Sequence, residues 1–145
     1  MCLIINHRNL KTVPVHKEGS ESNDKVVYKI LLAKEGKYIS LYRKHSYQLD
    51  CNTVDEEEAD IKKIKEKNKP EFRVVGKGFL HSIRTLQAAQ VQATKIQNQI
   101  AGLKNLSSWT LEIHKAIIPE GTKYYEGRNS DICSKTLRVL SEVIT

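Results

Sequence analysis

A long apolar stripe constrains this fold more than any other feature of the sequence. Between Ile83 and Leu103 the apolar side chains recur every three or four residues, and the glutamines lie largely off that stripe. This spacing predicts an amphipathic helix over residues 83–103, with Ser82 as its N-terminal cap. Such a helix buries its apolar stripe against another element, and we expect that element to be a sheet.

Strand patterns occupy much of the remaining chain. Residues 26–32, VVYKILL, form a β-branched and aromatic run, and the returning run YISLYR at 38–43 follows a turn that contains Gly36. These features predict a β-hairpin. In the segment WTLEIHKAI, apolar residues alternate with polar ones such as His114, which predicts a half-buried strand with its polar side chains facing water. Further strands are predicted at 72–79, 122–127 and 136–144.

The chain is short enough for one domain, since it has 145 residues, of which 39% are hydrophobic. Residues 1–24 end in a polar stretch that predicts a flexible N-terminal arm or loop, and residues 25–145 are expected to form a single α+β domain. The segment at 55–69 has acids first, lysines last and Pro70 behind it, which favours a charged insertion forming a short surface helix. The predicted fold class is therefore α+β: a small antiparallel sheet of about five strands packed against one long amphipathic helix.

Positive charge is concentrated in two blocks of the sequence. The net charge is +7, residues 25–48 carry six Lys or Arg against one acid, and residues 71–103 carry four against one. This distribution favours an anionic partner, because cations attract phosphates at long range and release counterions on binding. A surplus of lysines that serves only solubility is the alternative.

Aromatic residues coincide with the more basic block. In strand geometry Tyr38 and Tyr42 share one face, while Ile39 and Leu41 share the other and are expected to face the core. The tyrosines would then lie exposed beside cations, as in proteins that stack unpaired bases on aromatic rings. The alternative is that both rings cover the sheet beneath the insertion at 55–69. The candidate residues for binding nucleic acid or a partner are Lys29, Lys37, Tyr38, Tyr42, Arg43, Lys44, His45, Arg73, Lys77 and Arg84.

Signatures of catalysis and of cofactor binding are missing from the sequence. It contains no Gly-x-Ser-x-Gly, no His-Glu-x-x-His, and no phosphate-binding or dinucleotide-binding glycine motif. The three cysteines are widely separated, so we expect Cys51 and Cys133 to pack as small hydrophobic residues and expect no metal. No apolar run has the length of a membrane span, which favours a cytoplasmic protein. No catalytic residue and no cofactor is predicted.

Several segments of the chain carry a shared pattern: Met-Cys-Leu at the start, VVYKILL, KYISLYR, GKGFLHS, SKTLRVL and, above all, Ile118-Pro119-Glu120-Gly121-Thr122-Lys123-Tyr124. Together they resemble a group of small phage and mobile-element proteins of Bacteroidetes-type bacteria. Here Leu80 separates Phe79 from His81, whereas Gly-Phe-His is contiguous in the group. The resemblance implies a phage-type origin and an α+β fold, without an established chemistry. Pro119 and Gly121 are interpreted as a corner between two strands.

The leading hypothesis is a non-enzymatic accessory binding protein, monomeric or weakly self-associating, in the bacterial cytoplasm. Its expected partner is RNA or an RNA-loaded host complex, and its most specific form is an anti-CRISPR type of inhibitor that blocks a nucleic-acid-guided defence effector. A second hypothesis is a transferase-like enzyme that handles a nucleotide; it requires convergence of at least two of His81, Glu112, Glu120 and Tyr42. A third is a self-assembling structural protein with the long helix at its interface.

Overall fold

The structure is a computed structural model that describes residues 3–6, 10–40, 46–53, 61–63, 72–75, 80–106, 108–127 and 130–144. One helix, α1, spans Leu86–Ile100. The strands in these ranges are β1 Leu3–Asn6, β2 Leu10–Thr12, β3 Lys25–Lys34, β4 Lys37–Ile39, β5 Ser46–Tyr47, β6 Asp50–Thr53, β7 Ile61–Lys63, β8 Phe72–Val75, β9 Leu80–Ile83, β10 Thr110–Ile118, β11 Lys123–Glu126, β12 Asp131–Ser134 and β13 Thr136–Ile144.

Antiparallel pairing organises these strands into two sheets. The larger sheet has ten strands, of which eight follow the order β2-β11-β12-β9-β3-β10-β13-β6, while β4 pairs with β3 and β5 pairs with β4. The smaller sheet has three strands in the order β1-β8-β7. The two longest neighbours, β3 and β10, pair along their whole length, from Lys25 opposite Ile118 to Ala33 opposite Thr110. They form the centre of the larger sheet.

Each face of this central strand pair carries its own hydrophobic core. On one face, Leu32 packs with Ile96 and Ile100 of α1, and half-buried Trp109 and Leu111 border this cluster. On the other face, a larger cluster draws residues from seven strands of the sheet. Its members are Val13, Val27, Leu31, Tyr47, Leu80, Ala116, Ile118, Tyr124, Ile132, Leu137 and Val139. A sheet this wide curls, so residues of one face pack against one another.

The predicted fold class is wrong in its proportions. The structure is dominated by antiparallel sheet and has one short helix, rather than about five strands on one long helix. The helix begins after Thr85, whose side-chain oxygen accepts a hydrogen bond from the Ala88 backbone N–H at 3.2 Å. Ser82 was predicted as the cap, but it belongs to β9 and pairs with Ile132 of β12. The residues that the apolar periodicity assigned to the first turn of the helix are therefore part of a paired strand.

The charged insertion and the N-terminal arm also differ from expectation where the structure describes them. Ile61–Lys63 form a strand that pairs with β8, so the surface helix predicted over 55–69 is wrong at these positions. Few apolar residues supported that helix, and tertiary pairing overrides weak propensity. In the predicted arm, Leu10–Thr12 form a strand paired with β11 instead of a loop. The division at residues 24 and 25 stays a prediction.

Two turns confirm the sequence interpretation. Glu35 and Gly36 have φ values of 49° and 78° in the tight connection between β3 and β4, as a two-residue hairpin loop requires. The corner between β10 and β11 contains Pro119 and Gly121, and Gly121 has a φ of 79°. The Gly121 N–H donates to the Val13 carbonyl at 2.8 Å, which ties this corner to the segment after β2.

Candidate functional site

The end of the β3–β4 hairpin brings two lysines and an indole together. Lys34 and Lys37 lie directly opposite each other across the hairpin. The Lys34 Nζ lies 5.9 Å from the centroid of the Trp109 ring and donates to the Ser108 hydroxyl at 3.0 Å. Because Lys37 is exposed and Trp109 is half-buried, this hairpin end presents cations beside an aromatic edge. We call Lys34, Lys37, Ser108 and Trp109 the hairpin cluster.

The other described cations of the 25–48 block are engaged elsewhere. Lys25 lies 3.8 Å from the Glu126 carboxylate and 5.3 Å from the centroid of the Tyr124 ring. Lys29 is only 7% exposed, so the prediction that it lies on a basic surface is wrong. Its position on a strand buried on both faces explains the error, since the inward face of β3 continues from Val27 through Lys29 to Leu31.

The remaining predicted binding residues divide into those the structure places and those it leaves undescribed. Arg84 is exposed and follows Ile83, which pairs with Tyr28. Tyr28 is six residues along β3 from Lys34, or about 20 Å at the usual rise of a strand. Arg84 is therefore not part of the hairpin cluster. Arg73 lies in β8. Five predicted residues fall outside the described ranges: Tyr42, Arg43, Lys44, His45 and Lys77.

Tyr38 is half-buried, although the sequence predicted an exposed ring. Its ring meets that of His114 edge to face, with the centroids 5.5 Å apart. Ile39 packs against the helix-side core, as predicted, and Tyr38 packs against the core of the other face. Strand β4 thus lies between two hydrophobic cores. The alternation of apolar and polar residues predicts that one face of the strand is exposed to water, and this prediction is wrong there.

Lys29 is the least expected residue of the interior. Its Nζ donates to the His81 backbone carbonyl at 2.5 Å and lies 4.6 Å from the centroid of the Tyr47 ring. Burial lowers the pKa of Lys29 from 10.5 to about 7, because the ammonium form loses its hydration. Burial also raises the pKa of the Tyr47 phenol. Near neutral pH, Lys29 is therefore divided between an ammonium ion and a free amine.

His114 lies directly opposite Lys29 across the β3–β10 pair. It is 1% exposed, its Nδ1 is 2.8 Å from the Leu140 carbonyl oxygen, and its Nε2 is 2.7 Å from Glu112 Oε2. Each ring nitrogen thus has an oxygen partner, the Leu140 carbonyl for Nδ1 and the Glu112 carboxylate for Nε2. The sequence predicted an outward-facing His114, and this is wrong because His114 shares with Ala116 and Ile118 the face of β10 that lies against the larger core.

These contacts close into a ring of neighbours on the inner face of the sheet. Lys29 lies opposite His114, His114 contacts Tyr38, Tyr38 pairs with Tyr47, and Tyr47 covers Lys29. Glu112 connects this ring to water, because its side chain is 24% exposed. We call Lys29, Tyr38, Tyr47, Glu112 and His114 the interior cluster. Chemically, it combines an amine that is partly deprotonated near pH 7 with a histidine that is hydrogen-bonded to a carboxylate.

The second hypothesis required at least two of His81, Glu112, Glu120 and Tyr42 to converge. His81 contributes its backbone carbonyl to Lys29, and Glu112 belongs to the interior cluster. Glu120 lies elsewhere, where its carboxylate accepts from the Asn23 N–H at 2.6 Å and contacts His16 Nδ1 at 2.7 Å. These contacts lower the pKa of Glu120, and the hydrogen bond from the Asn23 backbone contributes most. Glu120 therefore fastens the segment before β3 to the β10–β11 corner.

Sequence reasoning named Lys29, Lys37, Tyr38 and Glu112 as candidates and missed the other members of the two clusters, which are Lys34, Tyr47, Ser108, Trp109 and His114. Lys34 stood inside the basic block, and its position before the Glu35-Gly36 turn was a usable signal for a hairpin end. Trp109 carried no such signal, because its contact with Lys34 depends on the distant pairing of β3 with β10. A lysine in the middle of an apolar run, as Lys29 is, can indicate a buried amine.

Cysteines and carboxylates give no metal centre in the described ranges. Within them, no group of three or more His, Cys, Asp or Glu residues is arranged to hold an ion. Cys133 is fully buried, as predicted, and burial raises its pKa to about 12. Cys51 is exposed, so the expectation that it packs in the core is wrong.

Comparisons with known proteins return no relative. No family model, curated protein or solved structure matches this chain. Among the residues that the structure describes, no helix has the length and apolar character needed to cross a bilayer.

Proposed function

We propose that this protein is a non-enzymatic binding protein whose hairpin cluster attaches to single-stranded nucleic acid. The observation that carries the proposal is the placement of Lys34 opposite Lys37, with the Lys34 ammonium over the Trp109 ring. Lysines hold phosphates, and the half-buried indole ring beside them offers aromatic surface to an unpaired base. The net charge of +7 adds long-range attraction for a polyanion.

The chain directly after the hairpin supports the same assignment. Residues 40–45 connect β4 to β5 and contain Tyr42, Arg43, Lys44 and His45, the densest part of the predicted site. The proposal therefore includes these four residues, which lie outside the described ranges, because of their charge and aromatic character in the sequence.

The test is binding of a fluorescent single-stranded RNA across a series of salt concentrations. Reversing both charges in Lys34→Glu plus Lys37→Glu should weaken binding at least tenfold and reduce the salt slope by about 1.4, at roughly 0.7 per phosphate contact. Arg43→Glu plus Lys44→Glu should have an effect of the same size. Lys17→Glu plus Lys95→Glu changes the net charge equally at two exposed positions outside the cluster and serves as the matched control.

The outcome depends on the difference between the variants. A loss that is large in the two site variants and small in the control supports the proposal. Equal losses in all three double variants would show that net charge alone drives binding. RNA affinity that no variant changes would refute the hairpin site.

The most specific form of the proposal is inhibition of a nucleic-acid-guided bacterial defence effector in the cytoplasm. Support for this form comes from the sequence resemblance to phage and mobile-element proteins together with the basic hairpin. A pull-down from bacterial lysate, with and without nuclease, separates the two modes of action. Retention of an effector complex after nuclease treatment would favour a protein partner, whereas loss of all captured material would favour RNA itself.

A further inference from the structure

Cations from three separate parts of the chain meet around one carboxylate near the β2 edge of the larger sheet. The Lys11 Nζ lies 2.9 Å from Glu126 Oε2, and the Lys25 Nζ lies 3.8 Å from Glu126 Oε1. The Arg84 backbone N–H donates to the Ser130 carbonyl at 2.8 Å, which extends the pairing of β9 with β12 by one residue toward the end of β11. We call Lys11, Lys25, Arg84 and Glu126 the cation patch.

Strand pairing and electrostatics both bring the members of the cation patch together. Lys11 lies opposite Tyr124 of the larger core, and Glu126 follows Tyr124 by two residues on the same face. Burial raises the pKa of Glu126, whereas the hydrogen bond and the charge of Lys11 lower it. The charges of Lys25 and Arg84 lower it further, so that the net shift is downward. The Arg84 guanidinium is therefore close enough to act on the Glu126 carboxylate.

Hydrogen-bond donors remain available in the cation patch after Glu126 is paired. Arg84 is exposed, and within the residues that the structure describes its guanidinium forms no hydrogen bond or ion pair. The Lys11 side chain is 52% exposed, so its ammonium can donate its remaining N–H groups to a second anion. Within the patch, three positive charges minus one negative charge leave a surplus of two.

We propose that the cation patch binds the phosphate monoester group of a small molecule. Such a group carries a charge of about −1.5 to −2 at neutral pH, which matches the surplus of the patch, whereas each phosphodiester of a nucleic acid carries one negative charge. The planar guanidinium of Arg84 can donate two parallel hydrogen bonds to phosphate oxygens, and the lysines add point charges. Glu126 holds Lys11 and Lys25 together against their mutual repulsion.

This patch lies at the opposite end of β3 from the hairpin cluster. Lys25 begins the strand and Lys34 ends it. The two proposals involve different residues and different anions, so either can fail without the other.

Titration of the intact, ¹⁵N-labelled protein with inorganic phosphate at pH 8 tests the proposal by NMR. Sodium chloride at equal ionic strength is the reference, and dimethyl phosphate provides an anion with a single charge. We expect phosphate to produce saturable shifts in the amide signals of Lys11, Arg84 and Glu126, and dimethyl phosphate to bind much more weakly. Arg84→Gln should weaken phosphate binding about tenfold, because it removes charge-assisted hydrogen bonds. Glu126→Gln should strengthen binding about threefold, because it removes a negative charge beside the ligand.

Controls separate this site from general attraction of anions and from unfolding. Lys95→Gln removes one positive charge from an exposed position on α1 and should leave phosphate binding unchanged. The spectrum of each variant reports whether it is folded, and Lys11→Gln supplies the same test should Arg84→Gln fail to fold. Opposite changes in Arg84→Gln and Glu126→Gln would support the site. Equal affinity in wild type and Arg84→Gln, an equal loss in Lys95→Gln, or equal binding of phosphate and dimethyl phosphate would overturn the proposal.

Discussion

Replacing Lys29 with methionine should abolish a rise in stability between pH 7.5 and pH 8.5. The unfolded chain binds the Lys29 proton with a pKa of 10.5, and the folded protein with a pKa of about 7. Between these values the unfolded state holds more protons, so the free energy of unfolding increases with pH. Below pH 7 both states are protonated, so the free-energy cost of burying the charged Lys29 amine is constant. Above pH 10.5 both states are neutral, so this cost disappears.

The size of this change in stability follows from the interval between the folded and unfolded pKa values of Lys29. Each pH unit within it contributes about 1.4 kcal/mol, and the whole window about 5 kcal/mol as an upper limit. Methionine keeps the aliphatic length but leaves the His81 carbonyl without the Lys29 donor, which costs about 1–3 kcal/mol. The variant should therefore be more stable than wild type at pH 7.5 by about 1–3 kcal/mol.

Urea unfolding at pH 7.5 and pH 8.5 measures the effect. Both values lie below 9.0, the pH at which the unfolded Cys133 thiol is half ionised, so the opposite contribution of that buried thiol is small. Wild type should gain about 1.4 kcal/mol over this unit, and the Lys29→Met variant should gain almost nothing. Lys115→Met, on the other face of the central strands, should keep the wild-type slope. An equal change of unfolding free energy with pH in wild type and in Lys29→Met would refute the prediction that Lys29 is a neutral amine in the folded protein.

Three further predictions concern the turns and caps. Thr85→Ala should lower the free energy of unfolding by about 1 kcal/mol through loss of the helix cap, whereas Ser82→Ala should cost little, since the Ser82 hydroxyl has no hydrogen-bond partner in the described structure. Gly121→Ala should cost about 1 kcal/mol because of its positive φ, although open space surrounds the new methyl group; thermal unfolding would measure this loss. Glu120→Ala should release the segment before β3 and speed trypsin cleavage after the exposed Lys17, in digests where the rest of the chain resists as before.

The longest strands and the helix were predictable because their signals are local. Residues 26–32 and 136–144 carry β-branched alternation, and both lie in long strands of the central sheet. The hairpin turn at Glu35 and Gly36 was equally predictable, because a two-residue hairpin loop needs positive φ values and glycine adopts them readily. The position of α1 followed from its apolar stripe, although its start did not, because the strand before it ends at Ile83.

The breadth of the sheet was not predictable, because its extra strands are defined by distant partners. Asp131–Ser134 has little strand character by itself and becomes a strand by pairing with β9 and β11. His114, Ala116 and Ile118 are buried because the wide core covers that face of β10, while the residues of its other face, toward α1, are half-buried. For that reason the alternation around His114 indicated an exposed face that the fold buries, and the interior cluster remained invisible at the level of sequence.

Ultraviolet cross-linking of a single-stranded RNA to the intact protein, followed by peptide mapping, tests the binding proposal most directly. We expect cross-linked nucleotides to concentrate on Trp109 and on residues 34–47, and we expect Lys34→Glu plus Lys37→Glu to remove them. Cross-links that avoid this end of the hairpin, or that lie mainly near Arg84, would contradict the assignment of the hairpin cluster as the nucleic-acid interface.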